Sequence, residues 1–364
     1  MNIQRARTGM ILPLVLVGML LVVVMSASLQ QVAWRALRGA RSQWDTQRAI
    51  YLADGAVTQA LGAWSAQTVA ATPIGTVLSS TSGAEGWQQQ TDIVRTSPLT
   101  AVISARAQRI ASTPPTGSPP APANRLADPA FVQRTVWRAV RLDPPALPIS
   151  AVATVLGTVA WDGATFDGRD LPLAYDAALD DCGVRRDSSS LRALVAESTG
   201  PGAPVLYGAV GYPDAAELDA TRQQFDAAWS TLIARAAPIG VDATGALVAV
   251  PPWRASVTAH AVGVTLDAPS VVTGLLAVSG DLIVRSSLRV DGLLVVRGAL
   301  IVVSGAGSAG ALDLRGALLV RDADGRGSRL GSSSQVHYAP CLLGRALAAA
   351  AVPRSAPFYV WNSP

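Results

Sequence analysis

The sequence predicts an α+β protein with a long N-terminal membrane-anchored helix, a mixed α/β middle region and a C-terminal β-solenoid with an 18-residue coil. Three observations favour this class. Residues 10–29 carry no charge, a proline-rich segment at 113–129 separates stretches of alternating polarity, and glycines recur at a constant interval towards the C-terminus. Half of the 364 residues are hydrophobic and only 15% are charged, which excludes a disordered chain.

The N-terminal apolar segment is long enough to span a bilayer. Its 20 uncharged residues, at about 1.5 Å per residue, cover roughly 30 Å, the thickness of the hydrocarbon core. Arg5 and Arg7 precede the segment and favour a cytoplasmic N-terminus, so the rest of the chain would be exported. Apolar residues keep a helical spacing beyond the segment, which predicts one helix over 10–65.

Three kinds of N-terminal segment fit these residues. A secretory signal peptide would be cleaved at the small residues 26–28, although its apolar core would exceed the usual ~7–15 residues. A plain membrane anchor would keep the whole segment. A prepilin-type leader, residues 1–9, would be cleaved after Gly9, so that the mature chain would begin at Met10.

Two stretches carry a resemblance to a known family. Residues 7–31 (RTGMILPLVLVGMLLVVVMSASLQQ) and 49–61 (AIYLADGAVTQAL) resemble the N-terminal part of PilX-type minor pilins of type IV pili and of type II secretion pseudopilins. The resemblance implies a prepilin peptidase that cleaves after Gly9, an inner-membrane location, and assembly with other pilin-like subunits through the N-terminal helix.

The resemblance also implies a rare subunit. Major pilins carry Glu at the fifth mature position, where this chain has Leu14. A subunit without that carboxylate is expected at the tip of a filament or in its initiating complex. Pro13 fits the first turn of the helix, where its missing N–H would be unpaired anyway.

The middle of the chain predicts strands and one further helix. Residues 87–110 and 130–142 alternate as strands do, so region 66–148 is expected to contain strands around the loop at 113–129.

Region 149–255 is expected to be mixed α/β. Residues 214–236 within it predict an amphipathic helix with Asp214 at its N-cap and Glu217 three residues later.

Hexapeptide repeats fill the C-terminal third. Gly274, Gly292 and Gly310 each open a hexad and follow one another at intervals of three hexads, and Leu and Val recur at the third and fifth positions of each hexad. These two positions point to one face of a short strand, so three strands and three corners would close one coil. This predicts a β-solenoid over 256–330, similar in architecture to bactofilin-like β-helical segments, and a cap over 331–364. A β-meander with coincidental glycines is the alternative.

The repeats also predict which side chains form the solenoid core. Leu294 and Val296 are expected to point inward, with Leu312 as the next neighbour of Leu294 in the stack, whereas Leu293 is expected to point outward. The expected core residues are Leu276, Val278, Leu282, Val284, Leu294, Val296, Leu300, Val302, Leu312, Leu314, Leu318 and Val320.

No pattern indicates a catalytic, cofactor-binding or metal site. The Gly-x-Gly-x-x-Gly at 305–310 is not followed by a helical pattern, and the acidic turn at 322–325 lacks the later ligands of a calcium loop. All 29 basic residues are arginines that alternate with aspartates, and the aromatic residues are scattered, so no nucleic-acid surface is indicated. The protein is therefore expected not to be an enzyme and to need no cofactor.

These observations favour a structural role. The leading hypothesis is a minor pilin-like or pseudopilin-like subunit of a type IV pilus or secretion filament. The alternatives are an inner-membrane-anchored envelope scaffold or adhesion protein and, less favoured, an exported hydrolase that would use Asp162 or Asp167. Export would place Cys182 and Cys341 in an oxidising compartment, where they are expected to form one disulfide.

Overall fold

The computed structural model describes residues 11–64, 72–84, 86–110, 132–169, 191–199, 201–248, 256–305 and 308–355. This part of the chain is α+β, with a long apolar N-terminal helix and a large β-rich part. Its helices are α1 (Ile11–Gly62), α2 (Ala215–Ile233) and α3 (Pro340–Ala349). Helices α1 and α2 lie within the segments 10–65 and 214–236 that the sequence predicts to be helical.

The strands of the described residues follow in chain order. They are β1 (Val77–Ala84), β2 (Trp87–Ser97), β3 (Thr100–Arg109), β4 (Gln133–Asp143), β5 (Ala151–Asp162), β6 (Thr165–Asp167), β7 (Arg192–Thr199), β8 (Val205–Tyr207), β9 (Val210–Gly211), β10 (Ala237–Pro238), β11 (Ser256–His260), β12 (Val264–Leu266), β13 (Ser270–Val278), β14 (Leu282–Val284), β15 (Ser287–Val296), β16 (Leu300–Val302), β17 (Ser304–Gly305), β18 (Ser308–Ala309), β19 (Ala311–Arg321), β20 (Ser328–Gly331), β21 (Ser334–His337) and β22 (Val352–Ser355).

A five-stranded antiparallel sheet has the order β1-β2-β3-β4-β22. Its first four strands include the predicted strand regions, while the proline-rich loop at 113–129 lies outside the described residues. β22 pairs with β4 so that Val352 lies opposite Asp143. Residues 144–351 are therefore inserted between two strands that are neighbours in the sheet, with the two ends of the insertion side by side.

Most of the inserted strands form one large sheet that curls into a half-barrel. Its pairs are parallel, and the predicted register of three hexads occurs where Gly274 lies opposite Gly292 and where Leu282 lies opposite Leu300. The same register continues upstream, where Val264 lies opposite Leu282. A closed three-sided coil stays a prediction.

The next register differs from the predicted one by one hexad. Gly292 lies opposite Gly316, not Gly310, so Leu294 is flanked by Leu276 and Leu318. The expected neighbour, Leu312, instead pairs with Leu288. The reason is that β17 and β18 lie outside the large sheet and pair with each other, and the N–H of Gly310 donates to the carbonyl of Val303 at 3.1 Å beside them.

Strands from the predicted mixed region belong to the same large sheet. β5 pairs in parallel with β19, where Ala153 lies opposite Leu318, and with β20, where Trp161 lies opposite Leu330. β6 pairs with β21, and β7, β8 and β9 extend the sheet further. Strand β5, the first strand of the insertion, therefore lies next to β19 and β20, which are among its last. The order of strands in the sheet thus differs from their order in the chain.

Helix α2 connects two distant strands of this sheet, β9 and β10. It follows β9 at one end and leads to β10 at the other, seven strand spacings away. At about 4.8 Å per spacing this is ~34 Å, and 19 helical residues cover ~28 Å. The carboxylate of Asp214 caps the helix by accepting from the N–H of Glu217 at 2.8 Å, as predicted.

The large sheet is buried on both sides along part of its surface. All twelve expected core residues are at most 1% exposed. Leu293, on the other side of the strand, is also fully buried, so its outward direction does not leave it exposed to solvent. The reason is that α3 packs on the outer side of β13 and β15, with the methyl group of Ala346 close to Gly292. The hexad pattern contains no signal for a covering helix that comes from a later part of the chain.

Candidate assembly and membrane-anchoring helix

The first half of α1 is an exposed apolar rod. Its large side chains from Val15 to Leu29 are 48–69% exposed. An 18-residue window has a mean hydropathy of 2.1, so within the described residues this helix is long and apolar enough to cross a membrane. The hydroxyls of Ser26 and Ser28 donate to the carbonyls of Val23 and Met25, so neither hydroxyl needs water.

The second half of α1 packs on the five-stranded sheet. Asp45, Ala49, Ala53, Ala56 and Val57 are buried on one side of the helix, and both Ala56 and Val57 lie one turn beyond Ala53. They pack on β2, β3 and β4, whose inward side chains include Ile103, Ala105, Val136 and Val140. Small side chains on the helix allow it to lie close to the strands.

Two ion pairs hold the helix from opposite sides. Asp45 binds Arg109 of β3 at 2.8 Å, and Asp54 binds Arg138 of β4 at 2.6 Å. The two aspartates are nine positions apart in the sequence, which corresponds to about two and a half turns and places them on opposite sides of the helix. They are the two acidic residues of α1, and each is bound to an arginine of the sheet.

These partners were not identified from the sequence. The only available signal was that Asp45 and Asp54 are the acidic residues of an otherwise basic helix. Which arginine each would meet depends on the sheet register, which local patterns do not specify.

A polar and aromatic stretch joins the two halves of α1. Arg35, Arg38 and Arg41 are exposed there, as are the indole rings of Trp34 and Trp44. The guanidinium group of Arg48 lies 5.4 Å from the ring centre of Trp44. Tryptophan and arginine are common where a membrane meets water.

The predicted processing residues are only partly described. Gly9 and Met10 lie outside the described residues. Pro13 and Leu14 lie in the first turn of α1, which begins at Ile11.

The predicted disulfide is described at one end only. Cys341, in the first turn of α3, is disulfide-bonded, and Cys182 lies outside the described residues. The pairing of these two residues stays a prediction.

The aspartates considered for hydrolysis differ in their surroundings. Asp162 is exposed at the end of β5, whereas Asp167 is only 3% exposed. Arg169 donates to both carboxylate oxygens of Asp167, at 2.9 and 2.7 Å, and this hydrogen bonding holds the pKa of Asp167 below its usual value. A carboxylate held ionised by an arginine is poorly suited to act as a general acid.

No metal site was found in the described part of the chain. Those residues contain no group of three or more His, Cys, Asp or Glu side chains placed to hold an ion.

Comparisons with known proteins give little. No protein-family model matches the chain, and no curated protein matches it. Among solved structures, the chain is similar to the competence-associated pilin ComZ from Thermus thermophilus, with 10% identity over 87% of this chain and 96% of that one and a TM-score of 0.20. A similarity at this score establishes neither fold nor role.

Proposed function

We propose that this chain is a pilin-like structural subunit, held in the bacterial inner membrane by the first half of α1. One observation carries the proposal. In the single helix α1, the first half is apolar and exposed, whereas the second half packs on an antiparallel sheet and forms ion pairs with it. The exposed apolar half is suited to a bilayer or to a bundle of similar helices. The second half fixes the helix to the five-stranded sheet and so to the rest of the subunit.

The finer proposal is a minor pilin or pseudopilin at the tip or in the initiating complex. Leu14 cannot offer the carboxylate that would pair with a neighbour's α-amino group in an apolar helix bundle. The partners would be other pilin-like subunits and a prepilin peptidase, and the protein would not be an enzyme.

The orientation of the chain is part of this proposal. Arg5 and Arg7 precede the apolar segment, but Arg35, Arg38 and Arg41 follow it. Because positive charge flanks both ends, the arginine count does not set the direction of insertion. The proposed cytoplasmic N-terminus, with the residues after the apolar segment exported, therefore rests on the resemblance of residues 1–9 to a prepilin-type leader.

We also infer that the curled sheet closes into a three-sided β-solenoid that the subunit displays. Support comes from Gly274, Gly292 and Gly316, which align across β13, β15 and β19 and have positive φ values of 109°, 145° and 144°. A bend at this position in each long strand would form one corner of a coil.

Mass spectrometry of the mature N-terminus tests the main proposal. The wild-type chain should begin at Met10, as should Gly9→Ala, because alanine keeps a small residue at the scissile bond. Gly9→Leu should remain uncut. A mature chain that begins at residue 29 would identify a secretory signal peptide and overturn the proposal, since the apolar half of α1 would be lost.

Quantification in purified filaments tests the tip assignment separately. The chain should be rare relative to the main subunit. An abundance close to that of the main subunit would contradict a tip or initiating role while leaving a pilin-like role intact.

A further inference from the structure

Three arginines follow the apolar half of α1 and form a basic patch, defined as Arg35, Arg38 and Arg41. All three are exposed, and in the part of the chain that the structure describes no acidic side chain pairs with any of them. Steps of three residues turn a helix by about 300°, so the three side chains lie within an arc of roughly 120°. The patch therefore presents its positive charge on one side of the helix.

The basic patch lies close to the headgroups when the apolar half of α1 crosses a bilayer. Arg35 is the first charged residue after the apolar segment and follows Leu29 by six residues, which is about 9 Å along the helix axis. The headgroup layer extends about 5–8 Å beyond the hydrocarbon core. Side chains of a helix tilt towards its N-terminus, so the guanidinium groups of the patch reach back towards the headgroups.

Trp34 supports the same depth. Its indole ring is 64% exposed, and the residue directly precedes the basic patch. Tryptophan is enriched where hydrocarbon meets headgroups, because its ring is apolar and its N–H is polar. The helix thus presents apolar residues, an indole ring and guanidinium groups in the order in which the layers of a bilayer surface follow one another.

We propose that the basic patch binds the headgroups of anionic phospholipids. This inference rests on the proposed function, in which the apolar half of α1 lies in the inner membrane. Guanidinium groups donate paired hydrogen bonds to phosphate oxygens. Each basic residue beside an anionic membrane surface adds about fivefold to the affinity. The patch holds α1 at a fixed depth and collects anionic lipid around the subunit.

A second copy of α1 is a poor occupant of the basic patch. The acidic residues of α1 are Asp45 and Asp54. Both carboxylates already bind arginines of the five-stranded sheet of their own chain. A neighbouring α1 would therefore bring only further arginines to the patch, and like charges repel one another. Phospholipid phosphates supply negative charge without disturbing either ion pair.

The lipid selectivity of the full-length chain tests this inference. The protein is purified in detergent and mixed with equimolar phosphatidylglycerol and phosphatidylcholine that carry identical acyl chains. The lipids that stay bound through gel filtration are extracted and quantified by mass spectrometry. The wild-type chain should retain phosphatidylglycerol with a preference of about tenfold or more. At 1 M salt the preference should largely disappear, because the Debye length falls to about 3 Å.

Variants of the basic patch carry the decisive comparison. Replacement of all three arginines by glutamine should reduce the preference to about twofold or less, because it removes the positive charge beside the headgroups. Replacement by lysine should keep most of the preference, since the charge is preserved. The matched control combines Arg106→Gln, Arg285→Gln and Arg329→Gln, which removes the same charge from exposed positions outside α1 and should leave the preference unchanged.

Single variants test the depth of the basic patch. Arg35→Gln should lower the preference about fivefold. Arg41→Gln should lower it less, because Arg41 lies six residues farther from the apolar half. A larger loss in Arg41→Gln than in Arg35→Gln would overturn the inference.

Other results would assign the basic patch differently. A wild-type chain without lipid selectivity, or an equal loss in the matched control, would overturn the inference. A glutamine variant that keeps its lipid selectivity but loses co-purifying pilin-like subunits would assign the patch to a neighbouring subunit and also overturn it.

Extraction of membranes with alkaline carbonate separates this inference from the proposed function. If the wild-type chain resists extraction but shows no lipid selectivity, the anchoring helix stands and only the lipid site is wrong. If carbonate releases the wild-type chain, the proposed membrane subunit is wrong and the lipid site with it.

Discussion

Leu293 and Leu294 are adjacent residues of β15 that face opposite sides of the large sheet, and both are fully buried. We therefore expect Leu293→Ala and Leu294→Ala each to lower the free energy of unfolding by about 2–5 kcal/mol. The corresponding Asp variants should fail to fold, because each would bury an unpaired carboxylate. Urea unfolding of the full-length chain in detergent, followed by tryptophan fluorescence, measures these effects.

Val271 supplies the control for this experiment. It lies on β13, in the same sheet, but is 53% exposed. Val271→Asp should change the free energy of unfolding by no more than about 0.5 kcal/mol. If Leu293→Asp proved as mild as Val271→Asp, α3 would not cover β15 in solution.

Residue patterns in the sequence identified one side of the sheet but not the other. Alternation placed Leu294 inside because its own hexad carries that information. The burial of Leu293 depends on α3, a helix that begins only at Pro340, well beyond the hexads. Local periodicity contains no signal for such a distant contact.

Among the structural elements, we expect the β17–β18 hairpin to contribute little to the stability of the large sheet, because its strands pair only with each other. The backbone of Gly310 meets that of Val303 at 3.1 Å, so the ends of the hairpin are already adjacent. Deletion of 304–309 should restore a register of three hexads with β15 and change the free energy of unfolding by no more than about 1 kcal/mol. Chemical denaturation measures this.

A deletion of equal length elsewhere provides the comparison. Removing 298–303 takes away one hexad of the same size but includes β16, whose Leu300 and Val302 are fully buried. That variant should not fold. Similar losses in the two deletion variants would show that the hairpin is part of the core.

Elements with local signals were predicted more accurately than the connections between them. Helix α2 was identified from its own apolar face and the cap at Asp214. The shift from a register of three hexads to one of four was missed, because glycine spacing continues to Gly310 although β17 and β18 lie outside the large sheet. Small residues are compatible with both a coil and a hairpin.

At the scale of the whole molecule, the protein is a helix-and-sheet unit that carries a large insertion. Since Asp143 and Val352 are paired, replacing 144–351 by Asn-Gly should join β4 to β22 as a tight hairpin. We expect the shortened chain to keep the five-stranded sheet and the docking of α1. Amide protection in β3 and β4 measures this.

The packing of α3 shows how the shortened chain could fail to fold. Gly344 of α3 lies beside Pro98 in the turn between β2 and β3, so the insertion touches the sheet. Loss of protection throughout β3 in the shortened chain would show that the sheet depends on the insertion.

The sequence predicted the helix that carries the proposed function, because a long uncharged segment is a local feature. It did not predict the ion pairs of Asp45 and Asp54, which depend on distant strands.

The permuted order of the large sheet limits when the protein can fold. β5 is made early, yet its partners β19 and β20 are made only after α2 and the strands from β11 to β16. One edge of β5 therefore remains unpaired until β19 and β20 have been synthesised. The strands from β11 to β19 lie only three or four hexads apart and can pair without waiting. We therefore expect the strands from β11 to β19 to pair with one another before β5 joins them, although β5 is synthesised first.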